Sequence, residues 1–438
     1  MGSFVPTTPS ERQQMLKTIG VGSVEELFRD VPQEMRIDGY LDLPSGKSEM
    51  ETLESVSALA EKNHVFRTCL RGAGSYRHYI PAAVKAIVNR EEFVTAYTPY
   101  QAEISQGILQ AIFEYQTMLC ELTGMDVSNA CVYDGGTAAA ESITMCRDRK
   151  RTKAYVSATT DPQVIEVMKT YCFGSDVELT VVPQKDGRTD PEALRSLLGQ
   201  DAACFYVQQP NFYGLLEEAE LLGEITHAAG AKYVMGVNPI SLAILKTPAE
   251  CGADVAVGEG QPLGLDTAFG GPYLGFMTAS SAMMRKLPGR IVGQTVDTEG
   301  EIGYVLTLSA REQHIRREKA SSNICSNEQL CAFTAAVYLS AMGEKGLRQA
   351  ATLCTSKAHY FAQQLEEKLG WKRVHPGEFF HEFVTECPDA EKALAALAKR
   401  DILGGLPVEG GILWCVTEVV TKERLDEAVA ILQEVSCG

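Results

Sequence analysis

No apolar run in these 438 residues approaches the roughly 18 that a membrane-spanning helix requires, so a helical membrane protein is excluded. Positive charge is scarce: 40 Lys and Arg stand against 57 Asp and Glu, a formal net charge of -17. Binding nucleic acid nonspecifically means neutralising phosphates with a basic surface, and this chain has none to spare. Small molecules or other proteins are the expected partners. The opening stretch MGSFVPTTPSERQQM has neither a basic n-region nor an apolar h-region, and Gly2-Ser3 lacks the basic support a myristoyl anchor would need. A cytoplasmic location is expected. The thirteen cysteines are scattered from Cys69 to Cys437 without a C-x-x-C pair, which argues against a metal site or a disulfide framework. Internal repeats and low-complexity tracts are also lacking.

What remains is an ordinary soluble composition, 45% hydrophobic and 22% charged, long enough for two or three domains with cores of their own. We expect a helical arm over 1–65, a large α/β domain over 66–330, and linking helices with a small α/β domain over 331–438. In the arm, Ser23 with Glu26 and Ser48 with Glu51 have capping-box spacing. The segment Arg71 to Tyr79 crowds two glycines, two arginines and three tyrosines or histidines around one turn; it is either a polar turn or a ligand-facing loop. Beyond it, Ile104, Ile108, Ile112, Leu119 and Leu122 fall at helical spacing, and Gly124 ends the helix. The residues ahead of that helix place Tyr97, Tyr100, Gln101 and Glu103 at its entrance, with Pro99 holding Thr98 extended.

From Asn129 to Val257 apolar strands alternate with amphipathic helices. The strands expected are Ala130–Tyr133, Ala154–Ser157, Val177–Val182, Cys204–Gln208, Tyr233–Val237 and Asp254–Gly258. The helices Pro162–Cys172 and Pro191–Leu198 begin with proline, whose missing N–H costs nothing at the first turn. Such alternation gives a mostly parallel sheet covered on both faces, with ligands bound beyond the carboxyl ends of its strands. Further on, Arg311 to Lys319 is the densest charge cluster and runs into Ser321, Ser322 and Asn323; its alternatives are a solvated or ion-paired helix and a site-forming segment.

The most informative absence lies in Gly258 to Phe276, GEGQPLGLDTAFGGPYLGF, a glycine-rich turn between two apolar runs. On an α/β sheet of this kind, such a turn is where a large group of pyridoxal-phosphate enzymes carries the lysine that holds the cofactor covalently. Here no lysine occurs between Lys246 and Lys286. Asp134-Gly-Gly-Thr137 could bring backbone amides to a phosphate at a helix start. Asn238, at another strand end, offers a neutral amide where a pyridinium nitrogen would want a carboxylate. Asp134, Thr137, Asn238 and Gln261 are therefore read as vestigial cofactor positions.

Several stretches then converge. Tyr97-Thr-Pro-Tyr-Gln-Ala-Glu-Ile-Ser-Gln-Gly107, Phe113 to Thr117, Leu122 to Asp126, Pro239 to Leu242, Gly258 to Gly264, Pro288 to Gly293 and Arg311 to Lys319 together resemble the first-subunit branch of the glycine decarboxylase P-protein family. The chain departs from that pattern at Asn238, where Asp is more usual, and at Gly136, where Ala is more usual. The resemblance implies a fold-type-I pyridoxal-phosphate transferase (aminotransferase-like) fold and an α2β2 assembly with subunit 2, which carries the cofactor lysine. It implies a reaction in which glycine loses carbon dioxide and its aminomethyl group passes to the lipoyl arm of H-protein. It further implies that Tyr97, Tyr100, Gln101, Glu103, His314 and Arg316 line the partner's active site, and that Ser321, Ser322 and Asn323 reach the partner-bound cofactor phosphate. No covalent cofactor and no metal are expected on this chain. Two other readings stand beside this one: a cofactor-free scaffold on the same fold, and a self-sufficient pyridoxal enzyme using Lys232, Lys246 or Lys286.

Overall fold

The computed structural model describes residues 6–37, 39, 41–320, 322–324 and 327–436. They fall into two compact units, divided in the chain between Val65 and Phe66. The first is the arm. Its helix α1 (Pro9–Ile19) starts at a Thr8–Glu11 capping box and stops at Gly20, whose φ of 86° suits only glycine at low cost. Helix α2 (Glu49–Ala60) starts at the Ser48–Glu51 box read from the sequence. Ser23 heads only a short 3-10 turn, Glu25–Phe28, with Val24 at its N-cap; the Ser23 hydroxyl accepts from the amide of Glu26 at 3.4 Å. There the Glu26 carboxylate bonds to the amide of Gly22 at 3.2 Å rather than to that of Ser23, so the reciprocal half of the box is missing. Neither α1 nor α2 buries a residue.

The second unit is built on seven strands: β1 (Val127–Ser128), β2 (Lys153–Ser157), β3 (Leu179–Val182), β4 (Ala202–Gln209), β5 (Lys232–Val237), β6 (Val255–Glu259) and β7 (Gly275–Ala279). Their order across the sheet is β1-β7-β6-β5-β4-β2-β3. From β3 to β6 all neighbours are parallel, while β7 runs antiparallel to β6 and to β1. The reversal comes from the glycine-rich turn, which returns the chain without a crossover helix. Side chains alternate between two cores: Phe205 and Val207 of β4 pack on one face, Cys204 and Tyr206 on the other. Helices α3 (Gln106–Thr123), α4 (Gly135–Cys146), α5 (Pro162–Gly174), α6 (Pro191–Leu197) and α7 (Ala219–Ala228) accompany the sheet.

Two local expectations need correction. Ala130–Tyr133 is no strand: the amide of Ala130 leaves the sheet to bond the carbonyl of Arg290 at 2.7 Å, and only Val132 makes an isolated bridge, to Gly275. Ile104 is not part of the apolar stripe; it precedes α3 and is 73% exposed, whereas Leu109, Ile112 and Leu119 are buried.

After a hairpin of β8 (Ile291–Val296) and β9 (Ile302–Thr307), the charged segment makes one α turn, Gln313–Arg316, and a 3-10 turn. Arg317, at φ 58°, breaks any continuous helix there. Helix α8 (Gln329–Leu369) is broken at Gly343, which has φ 59° and ψ -178°. The C-terminal region adds β10 (Glu382–Thr385), β11 (Leu406–Val408) and β12 (Gly411–Cys415) in the order β10-β12-β11, with helices α9 (Ala390–Ala398) and α10 (Lys422–Ser436). It has a core of its own in which Trp414 is fully buried against Phe361, at 5.4 Å between ring centroids, and donates its indole N–H to Thr385 at 2.9 Å.

Candidate functional site

A cleft of about 450 Å³ opens where β4, β5 and β6 end, lined by the starts of α4 and α5 and by residues 73–76. The Arg71 to Tyr79 segment is thus a loop facing the cleft, and internal bonds pin it. The amide of Ala73 and the hydroxyl of Tyr76 both donate to the Glu382 carboxylate at 2.7 Å, and the Arg71 guanidinium reaches the carbonyls of Gly404 and Gly405. Burial pushes the Glu382 carboxyl up to about 7.

At the start of α4, Asp134 accepts from the amide of Thr137 at 2.7 Å, and the amide of Gly135 is taken by Glu259 at 2.9 Å. Glu259 also accepts from the amides of Gln261 and Leu274, each at 2.9 Å. It thereby ties the end of β6 to the helix start and to the start of β7. Burial of its carboxyl wins over these three bonds and raises it to about 7. Asn238 accepts from the amides of Ile240 at 2.9 Å and Ser241 at 3.3 Å, and its NH2 faces Nε2 of His381 at 3.5 Å. His381 is held neutral by burial, its pKa pushed down to about 3.

Of the four vestigial positions, Asp134 and Asn238 line the cleft, whereas Thr137 and Gln261 do not. Gln261 is spent on the backbone of Tyr76 and Leu265. Bound pyridoxal phosphate would require a lysine, free amides or cations for its phosphate, and a carboxylate at its ring nitrogen. This cleft has no lysine, its leading helix amide is occupied by Glu259, and its strand-end residue is an amide. The residues present do not fit the group.

None of the residues assigned to the partner's site lines this cleft. Ser321 lies outside the described residues. Tyr97 is 97% exposed, and Gln101, Glu103, His314, Arg316 and Asn323 are also exposed. Arg290 brings the two segments together. Its guanidinium lies 5.0 Å from the centroid of the Tyr100 ring and pairs with Glu312 at 3.0 Å, with His314 3.6 Å from the same carboxylate. The Tyr100 hydroxyl bonds Asn327 and Gln329. Ser322 sits elsewhere, at a second cavity, and donates to the buried Glu141 at 3.0 Å. Burial raises that carboxyl to about 7.

Glu259, Glu312 and Arg290 were not picked out as site residues from the sequence, although Glu259 stands between two glycines of the glycine-rich turn. Asp161 was also missed; its signal was the Asp-Pro step that starts α5.

The seven-stranded sheet with one reversed strand, a cleft at the strand ends and a C-terminal α/β region define a fold-type-I pyridoxal-phosphate transferase architecture. The same fold is found in an alanine–glyoxylate aminotransferase from Nostoc sp., at 17% identity and a TM-score of 0.59 over 85% of this chain and 96% of that one. The family model of the glycine cleavage system P-protein matches residues 2–432, and the chain belongs to that family. It is 47% identical to a probable glycine dehydrogenase (decarboxylating) subunit 1 of Desulfitobacterium hafniense, over 99% of this chain and 100% of that protein. It is 42% identical to a crystallised, inhibitor-bound glycine decarboxylase (P-protein) of the glycine cleavage system, with a TM-score of 0.92 over 99% of this chain and 100% of that one.

Proposed function

We propose that this chain is the lysine-lacking half of a two-chain glycine decarboxylase. In this reading it pairs with subunit 2 as α2β2, and glycine and the covalently held pyridoxal phosphate belong to the partner's active site. The aminomethyl product passes to the lipoyl arm of H-protein. One observation carries the reading. The chain's own cleft lacks the residues a cofactor needs, while its polar segments gather away from that cleft around Arg290.

On this account Tyr97, Gln101, Glu103, His314 and Arg316 face the partner's substrate, where they position glycine or the entering lipoamide and exclude water. Tyr100, anchored on Asn327 and Gln329, holds the first segment in place. Ser321, Ser322 and Asn323 approach the partner-bound phosphate, and Glu141 behind Ser322, its carboxyl raised to about 7 by burial, opposes that phosphate less than an ordinary carboxylate would.

The test is borohydride reduction of the assembled enzyme followed by peptide mass spectrometry. All pyridoxyl label should fall on the partner chain. Label on Lys232, Lys246 or Lys286 of this chain would overturn the proposal.

A further inference from the structure

The central cleft has kept small-molecule volume, about 450 Å³, while losing any means of holding an anion. Its lining carries Asp134, Asp161 and Glu259 and, among the described residues, no lysine, arginine or histidine. Glu259 is fully occupied by backbone amides, and Asp134 caps α4.

Asp161 differs. It is 6% exposed, and one of its carboxylate oxygens caps α5 by accepting from the amide of Gln163 at 2.8 Å. The other, Oδ2, stands 2.9 Å from where a Cβ on Gly74, across the cleft wall, would lie. That oxygen has no hydrogen-bond or ion-pair partner among the described residues. A carboxylate this deeply buried must be paired or give up its charge, and burial alone already moves Asp161 up.

Tyr206 supplies an independent observation. It is 3% exposed and lines the cleft. Its hydroxyl lies over the floor at Gly236, where an added Cβ would fall 1.9 Å from the oxygen. Among the described residues that hydroxyl bonds to no protein group. Burial, with the Asp161 carboxylate nearby, holds the phenol well above its usual range, so it stays a neutral hydroxyl with lone pairs to offer. A buried carboxyl oxygen and a buried hydroxyl, neither bonded to a protein group among the described residues, thus face one cavity whose lining has no cationic side chain.

We infer that the cleft binds a small primary aliphatic amine as its ammonium ion, with Asp161 as the counter-charge and the Tyr206 hydroxyl as a second acceptor. An ammonium group has three donors and no acceptor, which suits these two oxygens. A hard divalent metal suits them less, because it takes about six or more oxygen ligands and the lining leaves only two carboxylate oxygens without a bond among the described residues, one on Asp134 and one on Asp161. Phosphates find no cationic side chain in this lining and face its acidic groups, and amino-acid zwitterions carry a carboxylate that meets the same lining.

The experiment is calorimetric titration of the full-length chain with 1,4-diaminobutane, and in parallel with glycine and inorganic phosphate. Saturable binding of the diamine should exceed that of the other two. Asp161→Asn keeps the cap on α5, since Asn accepts from the same amide, and should weaken diamine binding by about tenfold or more. Tyr206→Phe should weaken it several-fold, and carries the test if the first variant does not fold. Absence of diamine binding at about 10 mM, phosphate binding tighter than the diamine, or unchanged affinity in both folded variants would overturn the inference.

Discussion

Replacing Arg290 by Met tests whether the two polar segments are held as one unit. The substitution keeps most of the side chain's apolar stem but removes the guanidinium. That leaves the Glu312 carboxylate, whose side chain is 6% exposed, without its partner at 3.0 Å. Breaking a buried pair from one side costs about 3–5 kcal/mol. The Arg290 side chain is 17% exposed, and His314 stands 3.6 Å from the same carboxylate, so both water and the imidazole relieve part of the loss. We therefore expect about 3 kcal/mol, of which the lost stacking on Tyr100 contributes about 0.5–1 kcal/mol. Urea unfolding of the wild type, Arg290→Met, Glu312→Leu and the double variant completes a cycle. The double variant should recover about 1–3 kcal/mol relative to the sum of the singles, because no charge is then left buried alone. In the assembled enzyme Arg290→Met should also slow turnover, since Tyr97–Glu103 and Arg311–Lys319 lose their tether. A single-variant cost below about 1 kcal/mol, or strict additivity, would refute the reasoning and reduce the pair to an idle surface contact.

Other expectations are more local. Glu382, raised to about 7, keeps its proton in the folded chain at pH values where the unfolded chain, near 4.5, has lost it. Its stability contribution is complete below about pH 4.5 and is lost as pH rises through 7. Glu382→Gln removes that slope, so thermal melts should move in the variant's favour between pH 5 and 8, and parallel curves would contradict the assignment. Gly135→Ala places a Cβ 2.9 Å from the backbone nitrogen of Glu259 and should cost about 1–3 kcal/mol in unfolding free energy; an unchanged melt would show that the α4–β6 approach is loose. Tyr97→Phe and Ser322→Ala should each slow glycine–bicarbonate exchange or weaken cofactor retention in the assembled enzyme while assembly is preserved. Unchanged kinetics in both would return these residues to a structural role.

The parallel sheet was legible because β2, β4, β5 and β6 are short apolar runs between amphipathic helices, and few other architectures bury such strands on both faces. Gly124 marked a helix end because that position takes positive φ. Ala130 to Tyr133 was apolar enough for a strand, but its hydrogen bonds go to Arg290 and Gly275, some 140 to 160 residues away, which local pattern cannot reveal. The candidate site was legible by what it lacks, a lysine in the glycine-rich turn and an acid at Asn238. Glu259 occupying the amide of Gly135, and Arg290 joining Tyr100 to Glu312, depend on the way β6, α4 and the 288–312 region close in three dimensions. Asp161 drew no attention because the Asp-Pro step at the start of α5 reads only as a helix cap, which it is. Its second oxygen acquired significance only when Tyr206 and the cleft were seen beside it.

The proposed division of labour between two chains is tested most directly by glycine–bicarbonate exchange, measured for this chain alone, for subunit 2 alone, and for the two titrated together. The account predicts no exchange from this chain by itself and a large gain on mixing that saturates at equal amounts. Exchange by the isolated chain, or no gain on mixing, would contradict it.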